Sequence, residues 1–162
     1  MTNSSPAQLK KMVESITADE KAVLLAAFDA ILANSPASLQ WLSERAGLAP
    51  DAVADATDNL VELGLLVRDD AGVVVGSWGL TLVPTSHRLR MLGNSYYAWC
   101  AEDAVGIPAA LKVDAAINSS CFRCGHKVAI ELQRGEVVKA APQGIRLWMA
   151  EAEVGRSIVG CT

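Results

Sequence analysis

The chain has 162 residues, 51% of them hydrophobic and 20% charged, a composition that suits one folded domain or two small subdomains and argues against disorder. Its formal charge of −4 gives no general attraction to nucleic acid or to an anionic membrane, since both need clustered Lys and Arg near phosphates. No apolar run approaches the roughly 20 residues that cross a bilayer. The opening Met-Thr-Asn-Ser-Ser carries no basic-then-apolar secretory pattern, so the cytoplasm is the expected compartment. There the cysteines, Cys100, Cys121, Cys124 and Cys161, are expected as thiols.

Residues 6 to 33 read as two helices. Leu9, Met12, Val13 and Ile16 keep one face, and Thr17 with Glu20 three residues on forms a capping-box pattern that starts the second. Ser35-Pro36-Ala37-Ser38 breaks the run, and a short helix follows to Ala46, closed by Gly47. Pro50 and Asp51 open a further helix, with Val53, Leu60, Val61 and Leu63 on its apolar face and Gly64 at its end. Val67 to Val75 reads as strand, Asp-Asp-Ala-Gly turn and strand. Helix, turn, helix and hairpin in this order suggest a winged-helix unit. Its recognition position carries Asp51, Asp55, Asp58 and Glu62 and no Lys or Arg between Arg45 and Arg68, so phosphate would repel it and the unit is expected to be structural.

Leu80 to Val83 looks like a strand, Tyr96 to Val105 a mostly apolar helix stopped by Gly106 and Pro108, and Val113 to Ile117 a strand. Val128 to Leu132 and Val137 to Ala140 form a hairpin around Arg134-Gly135, and Ile145 to Met149 reads as another strand. The fold class expected is α+β: a helical winged-helix-like subdomain over residues 1–79, then an α+β subdomain over 80–162. The latter holds a mixed, mostly antiparallel sheet and a site helix.

Cys100 and Asp103 lie three apart, and on a helix they share a face, pairing a soft nucleophile with a proton carrier. On spacing alone the plainer reading, a buried small residue beside a capping carboxylate, has the stronger claim, because free cysteine is usually buried. Cys121-Phe122-Arg123-Cys124-Gly125-His126 resembles half of a zinc knuckle. A closed tetrahedral site needs two more ligands and no second Cys-x-x-Cys exists, so stoichiometric zinc is not expected. His87, in Thr85-Ser86-His87-Arg88, reads as a loop or surface histidine, and tryptophans 41, 78, 99 and 148 as core by default, with Trp99 beside the suspected site. No phosphate-cradling glycine loop is present.

The run Tyr97-Ala98-Trp99-Cys100-Ala101-Glu102-Asp103 resembles the organomercurial (alkylmercury) lyases, whose site begins with the same Tyr-Ala-Trp-Cys and has an acid three residues after the cysteine. Gly79-Leu80-Thr81-Leu82 with Thr85-Ser86 resembles the family's preceding strand, and Pro108-Ala109 and Ser119-Ser120-Cys121 its following segment. The likeness spans roughly residues 36 to 161 and is most specific between 79 and 121. Cys161 falls where the family's second, distant site cysteine would be; relatives run on past it with an aromatic-rich strand, whereas Thr162 follows it here, a departure that implies either a shortened form or a site completed differently. Cys124 and His126 are not in the family's usual site set.

The resemblance implies a lyase that protonates the carbon of a carbon–mercury bond. Cys100 and Cys161 would hold the soft mercury cation, Asp103 would shuttle the proton, and Trp99 would contact substrate. Cys121 would be a buried structural thiol. It implies no organic cofactor, an organomercurial as substrate, and small thiols or a mercuric reductase to take away Hg(II). For its role Asp103 needs a pKa raised by burial, hence a partly closed pocket. The rival readings are a non-catalytic thiol-rich metal-binding or metal-sensing protein on the same scaffold, and a winged-helix regulator, which the acidic helix opposes.

Overall fold

The computed structural model describes residues 14–121 and 123–147, so the first expected helix lies largely outside the described residues. Helix α1 (Ala18–Leu32) starts at the capping box: Glu20 N–H donates to Thr17 Oγ1 at 3.2 Å, and Thr17 N–H donates to Glu20 Oε2 at 2.6 Å. Helix α2 (Leu39–Ala46) is capped by Ser38, whose Oγ accepts from Trp41 N–H, and it ends at Gly47 with φ +68°. This left-handed cap is the conformation that a glycine adopts without a Cβ penalty. Helix α3 (Pro50–Glu62) opens on a proline, whose missing N–H would have no partner in the first turn anyway.

Strands β1 (Leu66–Arg68) and β2 (Val74–Ser77) pair antiparallel, and Asp69 Oδ1 ties their turn by accepting from the N–H groups of Ala71 and Val73. The expected order of helix, helix, helix and hairpin is present. Val23, Leu24, Leu42, Val53, Leu60 and Leu66 close a first core between these elements. Ala37 bridges Val74 through two backbone bonds of 2.9 Å, fastening the α1–α2 connection to the hairpin.

The chain continues through β3 (Leu80–Thr81), β4 (His87–Met91), β5 (Asn94–Ala98), α4 (Ala101–Leu111), β6 (Ala115–Ser120), β7 (Lys127–Gln133) and β8 (Glu136–Ala141). The described strands form one eight-stranded sheet, in the order β1-β2-β3-β5-β4-β6-β7-β8, with antiparallel neighbours throughout. Helix α4 packs on β4, β5 and β6, where Leu89, Tyr96, Ala98, Ala104, Ile107 and Ile117 make a second core. Tyr96 O–H donates to Leu32 O at 2.6 Å, so the strand leading to the site is anchored on α1.

Several expected boundaries are corrected. Tyr96 to Ala98, expected to be helical, belong to β5, because Leu92 (φ +51°) and Gly93 (φ +79°) form a tight two-residue reversal after β4. Two successive positive φ values match the strand twist of a hairpin, and the Asn-Ser-Tyr-Tyr-Ala run then pairs back along β4. Pro108 lies inside α4 instead of stopping it. Its missing N–H removes a bond only near the C-terminal end, where Lys112 (φ +54°) closes the helix and Val113 N–H reaches Pro108 O at 3.1 Å. Strand β3 ends at Thr81, short of Val83. The hairpin around Arg134-Gly135 is as expected. Residues 145–147 are not a strand, and Met149 lies outside the described residues.

Candidate active site

The β5 strand delivers Trp99 and Cys100 to the start of α4. Cys100 is the N-cap, with φ −141° and ψ 173°, and its sulfur accepts from Asp103 N–H at 3.4 Å, where a serine or threonine oxygen would ordinarily act. In return the Cys100 thiol donates to Asp103 Oδ2 at 3.0 Å. The expected meeting of the two side chains therefore occurs, but as a reciprocal cap. A residue at N-cap and one at N3 face each other because the chain turns into the helix between them.

A helix N-terminus and its N–H groups favour a thiolate. Here burial outweighs them, and together with the negative charge of Asp103 it pushes the Cys100 thiol up to about 12. Burial likewise raises the Asp103 carboxyl above its ordinary value, against the hydrogen bonds from the Cys100 thiol and the backbone, and Glu102 adds to the rise. The Cys100 thiol thus keeps its proton at neutral pH, aimed at Asp103 Oδ2.

Gly79 walls the carboxyl group. It has φ +86°, and a Cβ there would overlap Asp103, with Oδ2 only 2.9 Å away. Its carbonyl accepts from Trp99 N–H at 2.9 Å, which fixes the segment entering the site. Trp99 is only 3% exposed, and its indole N–H is buried with no hydrogen-bond partner among the described residues. That group lies over Gly76, where a Cβ would stand 3.2 Å from Nε1.

His87 corrects the expectation of a loop or surface histidine. It is buried at the start of β4, opposite Ala98 in register, with Nδ1 2.9 Å from Ser119 Oγ on β6, and burial lowers its pKa. Thr85 completes this support, donating through Oγ1 to Ala98 O at 2.6 Å and accepting from His87 N–H at 3.1 Å. The signal for this strand was present: His87, Leu89 and Met91 alternate with Arg88 and Arg90, a period of two. Gly79 enters the sequence reading as the subdomain boundary and as the first residue of the Gly-Leu-Thr-Leu resemblance, and nothing in the sequence shows what its missing Cβ would strike.

Cys121 is half-buried, not buried as the resemblance implies, and Cys124 is exposed. The Cys121 sulfur receives hydrogen bonds from the Cys124 N–H, the Cys124 thiol and the Arg123 N–H, which hold it below the ordinary thiol range. Cys161 and Trp148 lie outside the described residues. Among the described residues no three His, Cys, Asp or Glu side chains are grouped to hold a metal ion, and no helix is long and apolar enough to cross a membrane. Two surface clefts, one against Glu20, Asn59 and Glu62 and one against Arg90, Asp114 and Glu131, include neither Cys100 nor Asp103.

These features define an α+β protein with a helix-capping thiol hydrogen-bonded to a desolvated carboxyl group. The chain belongs to the alkylmercury lyase family, whose profile matches residues 80–162. It is 34% identical over 107 residues to the alkylmercury lyase of Staphylococcus epidermidis, an alignment covering 66% of this chain and 48% of that one. Identity to the enzyme of Streptomyces lividans is 30% over 107 residues, with the same shares, and to that of Bacillus cereus 36% over 74 residues, 46% of this chain and 34% of that one. The chain therefore spans half or less of the length of these relatives. The fold is similar to the crystal structure of the mercury-bound form of MerB2, with a TM-score of 0.79 at 22% identity, over 83% of this chain and 65% of that one.

Proposed function

We propose that this chain cleaves carbon–mercury bonds by protonolysis, with Cys100 as the entering thiol and Asp103 as the proton shuttle. The observation that carries the reading is the 3.0 Å hydrogen bond from the Cys100 thiol to Asp103 Oδ2, in the segment that matches the family. As Cys100 attacks an organomercurial, its S–H bond breaks, the proton passes to Asp103, and a sulfur–mercury bond forms. The leaving ligand of mercury departs with its electron pair. The carbon–mercury bond then breaks toward carbon, which takes the proton from Asp103 and leaves as hydrocarbon.

Hg(II) stays on Cys100 and on Cys161, whose thiol gives its proton to solvent as its sulfur bonds the ion, the pairing expected of a soft cation. Desolvation of Asp103 supports the shuttle role, because a solvated aspartate near about 3.9 holds almost no proton at neutral pH. Trp99 serves as an apolar wall that keeps the carboxyl group dry, and substrate contact through its indole belongs to the same proposal. Small thiols or a mercuric reductase, in the cytoplasm, would take the Hg(II). The division at residues 79/80 is proposed as one of cores, with the sheet running through it, and the winged-helix-like part as scaffold.

Incubation of the full chain with an arylmercurial tests the reading: released arene measured beside retained mercury. Arene in excess of enzyme is expected. Mercury held without arene would instead establish the metal-binding protein.

A further inference from the structure

The chain carries a second pair of thiols outside the Cys100–Asp103 couple. Cys121 and Cys124 occupy the connection from β6 to β7, which two backbone bonds close: Cys121 N–H to His126 O and Gly125 N–H to Cys121 O, each 2.8 Å. Gly125, at φ +69°, makes the reversal that returns the chain to β7, where His126 O meets Cys121 N–H. The Gly125 N–H to Cys121 O bond closes a single i to i+4 turn around the two cysteines, and residues three apart in such a turn stand side by side.

We propose that the Cys121–Cys124 turn is a separate two-thiolate site for a soft, two-coordinate cation, with Hg(II) as its ion. A tetrahedral zinc site needs four protein ligands, and among the described residues no group of three donors exists. A linear dithiolate needs only two, and thiolate ligands select soft ions. Arg123 and Lys127, whose Nζ donates to Ser120 Oγ at 3.1 Å, flank the turn and oppose a hard dication held by charge alone. Two sulfur–mercury bonds neutralise the ion, so this opposition is small for Hg(II). Each thiol loses its proton to buffer and forms one S–Hg bond, and the two chloride or small-thiol ligands that the ion carried leave with their electron pairs, so no oxidant or reductant is required.

Access and placement agree with this role. Cys121 is half-buried and Cys124 exposed, within reach of a small ion or a small-thiol complex. The turn lies at the same end of the sheet as Cys100. Ser119 at the end of β6 meets His87, whose register partner Ala98 is two residues before Cys100. The proposal does not depend on turnover, because it concerns inorganic Hg(II) alone.

The test uses the full chain carrying Cys100→Ser and Cys161→Ser, exposed to mercuric chloride in excess glutathione and then desalted. One mercury per chain by elemental analysis and native mass spectrometry is expected. Adding Cys124→Ser, at an exposed position, should lower the affinity by about 10²-fold or more, since the second bond is then no longer intramolecular. The parent should likewise retain one mercury more than its Cys124→Ser variant, a comparison that needs no change at Cys100. No retention by the double variant, or retention that Cys124→Ser leaves unchanged, overturns the proposal. Loss of hydrocarbon release with retention intact would contradict only the lyase reading.

Discussion

Replacing Gly79 by alanine tests whether the position of the Asp103 carboxyl group, and not merely its presence, governs the chemistry. The residue adopts φ +86°, and an added Cβ would overlap the carboxyl atoms of Asp103. A left-handed conformation costs an L-residue about 1–2 kcal/mol. The carboxyl group must also swing away, giving up its 3.0 Å bond from the Cys100 thiol, and hydrogen bonds to charged groups contribute about 1.5–3 kcal/mol. Gly79→Ala is therefore expected to lose about 2–4 kcal/mol of stability, because the two costs overlap in part. The larger effect falls on rate. With the acid out of line, hydrocarbon release should drop within the span of about 10² to 10⁴ that general acid catalysis supplies. Urea denaturation gives the first quantity, and single-turnover release from an arylmercurial by the folded fraction gives the second. The carbonyl of Gly79 that receives Trp99 N–H is unchanged by the substitution, so the entry to the site is kept. A variant that denatures with the parent and releases hydrocarbon at the parent rate refutes the steric argument.

Three further outcomes are expected. Cys100→Ser should abolish turnover while keeping the fold, because serine caps a helix at least as well as cysteine but offers mercury a hard donor; parent-rate release by that variant removes Cys100 from the mechanism. The Cys100 thiol is pushed up from 9.0 to about 12 on folding, so the native state holds a proton that the unfolded chain gives up first. The parent should accordingly lose stability relative to Cys100→Ser as the pH rises through that window, and parallel stability curves for the two proteins between those values would contradict the burial of the thiol. Isolated without added metal, the chain should carry no stoichiometric zinc. One tightly held zinc per chain by elemental analysis would make Cys121 and Cys124 half of a tetrahedral site instead.

The N-terminal helices were legible because their ends are written locally. Thr17 with Glu20, Ser38, Gly47 and Pro50 each act within one turn of where they stand, and each sits at the boundary that it marks. The site helix was misplaced because Tyr96 to Ala98 are apolar without a clear period, and short apolar runs do not distinguish strand from helix. The deciding feature, the Leu92-Gly93 reversal, is weaker than the usual Asn-Gly pair. The spacing of Cys100 and Asp103 alone favours a plain buried cysteine beside a capping carboxylate, the Tyr-Ala-Trp-Cys resemblance is what singles the pair out, and their contact is made by capping geometry. The roles of Gly79, Thr85, His87 and Ser119 were not legible, since each depends on strand register that joins residues far apart in the chain. The half-burial of Cys121 follows from the closed turn around it, which the Cys-x-x-Cys-Gly pattern suggested only as a metal half-site.

The division of labour between thiol and carboxyl group is tested most directly by Asp103→Ala, with mercury binding and hydrocarbon release measured on one sample in a single turnover. Thiolates should dominate capture of the soft cation, and the carboxyl group should matter when a proton reaches carbon, so the deletion should cost rate more than binding. The account predicts that Asp103→Ala holds an organomercurial as the parent does and releases hydrocarbon about 10²- to 10⁴-fold more slowly. Release at the parent rate, or loss of mercury binding altogether, would contradict the assignment of Asp103 as proton shuttle.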